Sequence, residues 1–277
     1  MRASEHRGAP INAARMAQWM KRFRYYRHPP DVDAIESWLG SFKAGSKDIA
    51  ARILDCVEVI SEKQIQVGYK NSLNRIAGWA PTKKERDGNW HFAGFGHAGE
   101  SGQAMVRTFR EANKLNDSRH DDLFCTVADI PSKRLTAADT IVFIDDFSGS
   151  GRQVCDKWNK NGIGILVADA QAHIILTAAT DEAIEKIQDE TTLTVHAHHH
   201  LHRNDNFFSE RCERFTQAEK NAILHYCKIA DAQNPRGFND SGLLYILQHK
   251  TPNNSLPILH ANHGRWTGLF PRYLDPS

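Results

Sequence analysis

Between Ile11 and about Ile76, apolar residues recur every three or four positions, as in Trp38, Leu39 and Phe42, then Ile49, Ile53, Leu54, Val57 and Ile60. That spacing predicts helices that each bury one face. "RHPPDVDAIESWL" supplies a stop and a start, because Pro29 and Pro30 end one helix and Asp31 or Asp33 caps the next. After the polar stretch "PTKKERDGNW" the texture changes to short apolar runs: "WHFAGF", "LFCTVADI", "TIVFID", "HIILTAA" and "TLTVHAH". Between several of them lie amphipathic segments such as "SGQAMVRTFREANKL" and "DEAIEKIQDE". Strands apolar on both faces and joined by helical crossovers predict a parallel α/β sheet. From about Asn206 the helical pattern returns in "TQAEKNAILHYCKIA", and the rest, rich in Asn, Pro, Gly and aromatics, predicts a short strand and long loops over the core. The expected division is a helical region 1–85, an α/β core 86–205 and a helical and loop cap 206–277.

Composition narrows the class. With 277 residues the chain can bury a sizeable interior, and 35 Lys and Arg against 33 Asp and Glu leave a formal charge of only +2, so any basic surface must be local. Five scattered cysteines, Cys56, Cys125, Cys155, Cys212 and Cys227, show no CxxC spacing, which argues against a disulfide framework or a zinc knuckle. No apolar run is long enough for a membrane span, and the N-terminus has no apolar signal core. A cytoplasmic protein with no membrane association is expected.

In an open α/β sheet ligands bind beyond the carboxyl ends of the strands, so the residues just after each run carry the chemistry. "IVFIDDFSGSGRQV" places Asp145 and Asp146 at the expected tip of a strand, facing a solvent-filled crevice. Two carboxylates about 4 Å apart repel by roughly 4 kcal/mol at an effective dielectric of 20, which calls for a donor or a cation. A ribose diol and a hydrated Mg²⁺ are the natural partners. The next residues, Ser148, Gly149, Ser150, Gly151, Arg152 and Gln153, open a helix with a bare backbone, as a phosphate cradle requires. The segment lacks the spacing and lysine of the ATP-type loop. An ordinary β–turn–α junction would also use Asp and Gly, but diol-binding carboxylates directly before a monophosphate cradle describe a ribose 5-phosphate site. Gly151→Val is then expected to impair binding more than folding.

A second glycine-rich stretch, "FAGFGHAGESGQAMV", follows the first predicted strand of the core. Gly94, Gly96 and Gly99 spell the dinucleotide fingerprint, yet the acidic residue that motif wants, about 20 positions on, is lacking, since Asp129 lies farther away. Gly99, Glu100, Ser101 and Gly102 instead place N–H groups at a helix start, as an anion loop does, and the family resemblance given below implies that they form a pyrophosphate loop.

Three further segments carry candidate chemistry. "TVHAHHHLHRND" alternates His196, His198, His200 and His202 with Val195, Ala197, His199 and Leu201, and it is expected to line the mouth of the site or face water rather than hold structural zinc. "HKTPNNSLPIL" offers the amides of Asn253 and Asn254 toward a base or sugar at the same carboxyl edge, which the family resemblance given below implies is an acceptor hood, with Trp266 or Phe270 as stacking platforms or core. "MKRFRYYRH" interleaves Lys21, Arg22, Arg24 and Arg27 with Phe23, Tyr25 and Tyr26, which suits single-stranded nucleic acid or a helix with one charged face.

An apolar strand, two acidic residues and a Ser/Gly loop resemble the phosphoribosyltransferases. Together with "WLGSF", "GESGQAM", "TPNNSLPIL" and "GLFPRY", the chain resembles the phosphoribosyltransferase-like proteins of bacterial conflict systems, some of them retron-associated. The resemblance implies a type I phosphoribosyltransferase-like parallel sheet with flanking helices. It also implies binding and turnover of phosphoribosyl pyrophosphate or a related ribose phosphate with Mg²⁺ at Asp145 and Asp146, a role in anti-phage defence, and a nucleic-acid or reverse-transcriptase partner. Two departures favour an alternative, a non-catalytic nucleotide sensor: the loop reads "SGSGRQ" where two hydroxyl residues usually precede two glycines, and Glu100 stands where the pattern often has lysine.

Overall fold

The computed structural model describes residues 10–96, 101–167 and 169–273. In chain order its elements are α1 (Ala13–Phe23), α2 (Val32–Gly40), α3 (Ala44–Cys56), β1 (Glu58–Ile60), α4 (Glu62–Asn74), β2 (Asn89–Gly94), α5 (Ser101–Asn113), α6 (Ile130–Lys133), β3 (Asp139–Ser148), α7 (Arg152–Asn159), α8 (Ile163–Leu166), β4 (Gln171–Thr180), α9 (Asp181–Glu190), β5 (Thr194–Leu201), α10 (Gln217–Ala230), β6 (Tyr245–Leu247) and α11 (Pro257–His260). The fold is α/β, with parallel sheets flanked by helices.

Two compact units share these elements. A central unit spans Lys63–Leu201, and a terminal unit joins the chain up to Glu62 with the chain from His202 onward. The expected division into three therefore meets a division into two, in which the N-terminal helices and the C-terminal segment build a shared core. Trp19, Phe23, Trp38, Leu39 and Ile53 bury there with Phe207, Ile223, Ile258 and Phe270. The short segment Glu58–Ile60, expected within a helix, leaves α3 as a strand because it finds a parallel partner in Tyr245–Leu247, almost 190 positions away. The cap expected at Asp31 forms, its side chain accepting from the Ala34 N–H, and Thr216 and Glu219, which the sequence reading passed over, close a reciprocal box at the start of α10.

The central unit is a four-stranded parallel sheet in the order β2-β3-β4-β5. "LFCTVADI" is not a full strand. Asp117 accepts from the Arg119 N–H and Thr126 pairs with Asp129, so local side-chain bonds fold it into 3-10 turns, and only Phe124 reaches the sheet, in a parallel bridge to Phe92. That bridge lies beyond β2, and it turns the sheet into a rudimentary doubly wound order. The chain leaves β2 toward one edge and returns at β3 on the other side, which makes the carboxyl ends of β2 and β3 the topological switch point. The helices diverge accordingly. On one face Phe109 of α5 packs on Phe92 and on Tyr69 of α4, and on the other Trp158 of α7 packs edge-on against Phe143.

Candidate active site at the switch point

Strand β3 runs on through Ser148, so Asp145 and Asp146 lie inside it rather than at its tip, with Asp145 in register with Leu176 of β4. Both are buried, 6% and 8% exposed, which corrects the expectation of a solvent-facing pair. Asp145 is held from three directions. Ser101 Oγ donates to its Oδ1 at 2.7 Å, the Asp146 N–H donates to the same oxygen at 2.9 Å, and the buried Tyr69 hydroxyl donates to its backbone carbonyl at 3.0 Å. Burial, and after it the charge of Asp146, pushes the Asp145 carboxyl well above the usual carboxylate range, while the Ser101 hydroxyl and the Asp146 N–H pull the other way. Burial likewise raises the Tyr69 phenol, which keeps it a donor.

Beyond the carboxylates the chain bends at Gly149 and Ser150, and Gly151 takes φ 68° as the residue before α7. No side chain caps this helix, and its first internal bond runs from the Cys155 N–H to the Gly151 carbonyl. The N–H groups of the first turn therefore face outward with Arg152 and Gln153 exposed, the arrangement an anion needs. Thr180, at the end of β4, fastens the loop: its hydroxyl donates to the Gly149 carbonyl at 2.5 Å and accepts from the Ala183 N–H at 3.1 Å. Sequence reasoning missed Thr180, although a threonine directly before "DEAIEKIQDE" is a helix-cap signal. Gly151 also packs tightly, since a Cβ there would stand 2.9 Å from the Ala183 carbonyl oxygen. The left-handed φ and this contact overturn the expectation that Gly151→Val spares folding.

Of the expected pyrophosphate loop, Gly99 and Glu100 lie outside the described residues. Ser101 opens α5 and bonds the Asp145 carboxyl. Gly102 has a packing role: a Cβ there would meet the Phe95 nitrogen at 2.6 Å, and one on Gly94 would meet the Gly102 carbonyl carbon at 2.7 Å. Two of the glycines in this stretch thus let helix and strand backbones touch.

The hood residues belong to the terminal unit. Asn254 is buried, and its Nδ2 donates to the Phe238 carbonyl at 3.1 Å and to Ser241 Oγ at 2.9 Å, so its amide hydrogens are used in folding. Asn253 is exposed. The strand before them pairs with β1, not with the four-stranded sheet. Trp266 and Phe270 are core: the indole donates to the Ile258 carbonyl, and Phe270 meets Phe23 and Tyr26 edge-on.

The histidines alternate along β5 as expected, and His198 lies directly against Gly68 of α4. His173 Nδ1 and His196 Nε2 are 3.1 Å apart, and burial, followed by the neighbouring His196, lowers His173 to about 4. Among the described residues no group of three or more His, Cys, Asp or Glu is arranged to hold a metal. Asp145 and Asp146 are two buried oxygen donors, of the hard kind that a largely hydrated Mg²⁺ would accept. Among the described residues no helix is long and apolar enough to cross a membrane.

Comparison with curated proteins and with solved structures gives no match. A family model does match, and it spans most of the chain, including both units and the whole switch point. Over residues 35–272 the chain fits PRTase-CE, and it belongs to that family as a phosphoribosyltransferase-like protein.

Proposed function

We propose that the central unit binds phosphoribosyl pyrophosphate or a related ribose 5-phosphate compound and turns it over. The observation that carries this reading is the pair of buried adjacent carboxylates, one clamped by Ser101 and Tyr69, set directly before an uncapped helix start at the switch point. Asp145 and Asp146 orient the ribose hydroxyls, the Ser148–Gln153 backbone takes the 5-phosphate, and the start of α5 at Ser101 and Gly102 faces the pyrophosphate. Transfer breaks the bond from C1 to the pyrophosphate oxygen. The electron pair leaves with pyrophosphate, and a lone pair of the acceptor forms the new bond at C1. Mg²⁺ at Asp145 and Asp146 would supply charge neutralisation for the leaving group. The chain's own contribution is to fix the sugar and exclude water from a cationic carbon.

A second reading, a sensor that binds without turnover, is favoured by the internal bonds that already occupy Asp145 Oδ1. Calorimetry with phosphoribosyl pyrophosphate and Mg²⁺, combined with a pyrophosphate-release assay over candidate acceptors, separates the two. The proposed enzyme binds and releases pyrophosphate, a sensor binds only, and unchanged affinity in Asp145→Asn/Asp146→Asn rejects the site. Service in anti-phage defence rests on the resemblance, and a plaque assay comparing wild type with that double variant tests it.

A further inference from the structure

The terminal unit carries one surface that its folding does not explain. Its inward charges are matched: Arg15 pairs with Asp55, Arg52 pairs with Glu219, and Lys220 donates to the carbonyls of Ser209 and Cys212. Arg24, Arg27, Lys250 and Arg272, by contrast, form no ion pair among the described residues. Three of the four converge. The Arg27 N–H donates to the Gln248 carbonyl and its guanidinium to the Arg272 carbonyl, both at 2.8 Å. Lys250 Nζ and Arg272 Cζ lie 5.2 and 5.7 Å from the centre of the Tyr273 ring. Arg24, three residues before Arg27, stands 4.8 Å over Tyr25. Both tyrosines face solvent, 41% and 68% exposed for Tyr25 and Tyr273, and the charges of Lys250 and Arg272 pull the Tyr273 phenol below its usual range. The inward residues of the same stretch, Phe23 and Tyr26, are core, so the surface rests on a rigid base.

We infer that this surface binds single-stranded nucleic acid, with the four cations on phosphates and Tyr25 and Tyr273 against unpaired bases. A duplex hides its base faces and an acidic protein has none, so two exposed rings among unpaired cations favour the single strand over both. The inference stands apart from the ribose-phosphate site.

Fluorescence anisotropy of a labelled oligothymidylate on the full chain tests it. Four phosphate contacts give a slope of about −3 in log affinity against log salt, and Lys250→Gln or Arg24→Gln each removes about 0.7 of that slope. Tyr25→Ala and Tyr273→Ala weaken binding about tenfold without changing the slope, whereas the Phe variants bind as wild type. All these side chains are exposed or line the surface, and a melting curve for each variant confirms its fold. Absence of salt-dependent binding, equal affinity for a duplex, or equally effective displacement by polyglutamate would each overturn the inference, the last by pointing to an acidic protein.

Discussion

The two units treat buried charge in opposite ways. In the terminal unit each buried guanidinium meets a carboxylate, Arg15 with Asp55 and Arg52 with Glu219, and Trp19 adds a bond from its indole to Asp55. In the central unit two carboxylates sit side by side in one buried strand, and no ion pair among the described residues reaches Asp145. Opposite charges satisfied within a core serve folding. A buried carboxyl raised by burial and by an adjacent Asp marks a candidate functional site. The histidines show the limit of the contrast, because both units also bury neutral imidazoles, His260 in one and His173 and His199 in the other, each lowered to about 4 chiefly by burial.

The largest expected effect breaks the terminal unit. Phe270 is fully buried between Phe23 and Tyr26, so Phe270→Ala should remove about 3–5 kcal/mol in urea unfolding. A loss below about 1 kcal/mol would mean that the two ends of the chain do not share a core. Next, Gly151→Val should cost about 2–4 kcal/mol, from the left-handed φ of 68° and the Ala183 carbonyl beside the new Cβ. A variant with wild-type melting that lacks only ligand affinity would restore the simpler cradle picture.

The third prediction uses opposite pH slopes. The Asp145 carboxyl is raised in the folded state, so its protonated form favours folding below the ordinary carboxyl value, and that stability is lost as pH rises through the raised value. Asp145→Asn should therefore melt a few degrees higher than wild type at neutral pH and converge with it in acid. His260 works in the reverse sense. Its folded value is about 4 against an ordinary 6.5, so its contribution is present above pH 6.5 and is lost as pH falls toward 4. A melting series from pH 4 to 8 in which Asp145→Asn tracks wild type throughout would remove the electrostatic part of the comparison. The smallest effect sharpens it: Tyr69→Phe deletes the donor to the Asp145 carbonyl and should cost about 1 kcal/mol, with a larger proportional fall in ribose-phosphate affinity. Equal small losses in Tyr69→Phe and in a control such as Ser41→Ala would make that bond merely structural.

How much was legible in sequence depends on the range of the forces involved. The strands β2 to β5, the helices between them and the cap at Asp31 are set by periodicity and neighbouring side chains, and they stand in the structure. The strand at Glu58 was hidden because Val59 and Ile60 continue a helical pattern until a partner near residue 246 is known. "MKRFRYYRH" read as one mixed face, yet Phe23 and Tyr26 turn inward and Arg22 donates to the Leu54 and Asp55 carbonyls at the end of α3. That leaves Tyr25 as the one exposed ring of the three. The bare backbone of Gly102 suggested an anion, whereas its cause is the closeness of Phe95, a contact no local pattern encodes. The Asp-Asp pair was legible as a site, but its burial and the Ser101 and Tyr69 bonds came only from the packed structure.

The discontinuous terminal unit has a consequence for the order in which the chain matures on the ribosome. Its first helices emerge with Trp19, Phe23 and Trp38 bare, because the residues that cover them lie beyond His202. At about 5–20 residues per second, the intervening Lys63–Leu201 segment takes roughly ten to thirty seconds to appear. By the end of that interval every strand of the central unit has emerged, while the leading helices still await the chain beyond His202.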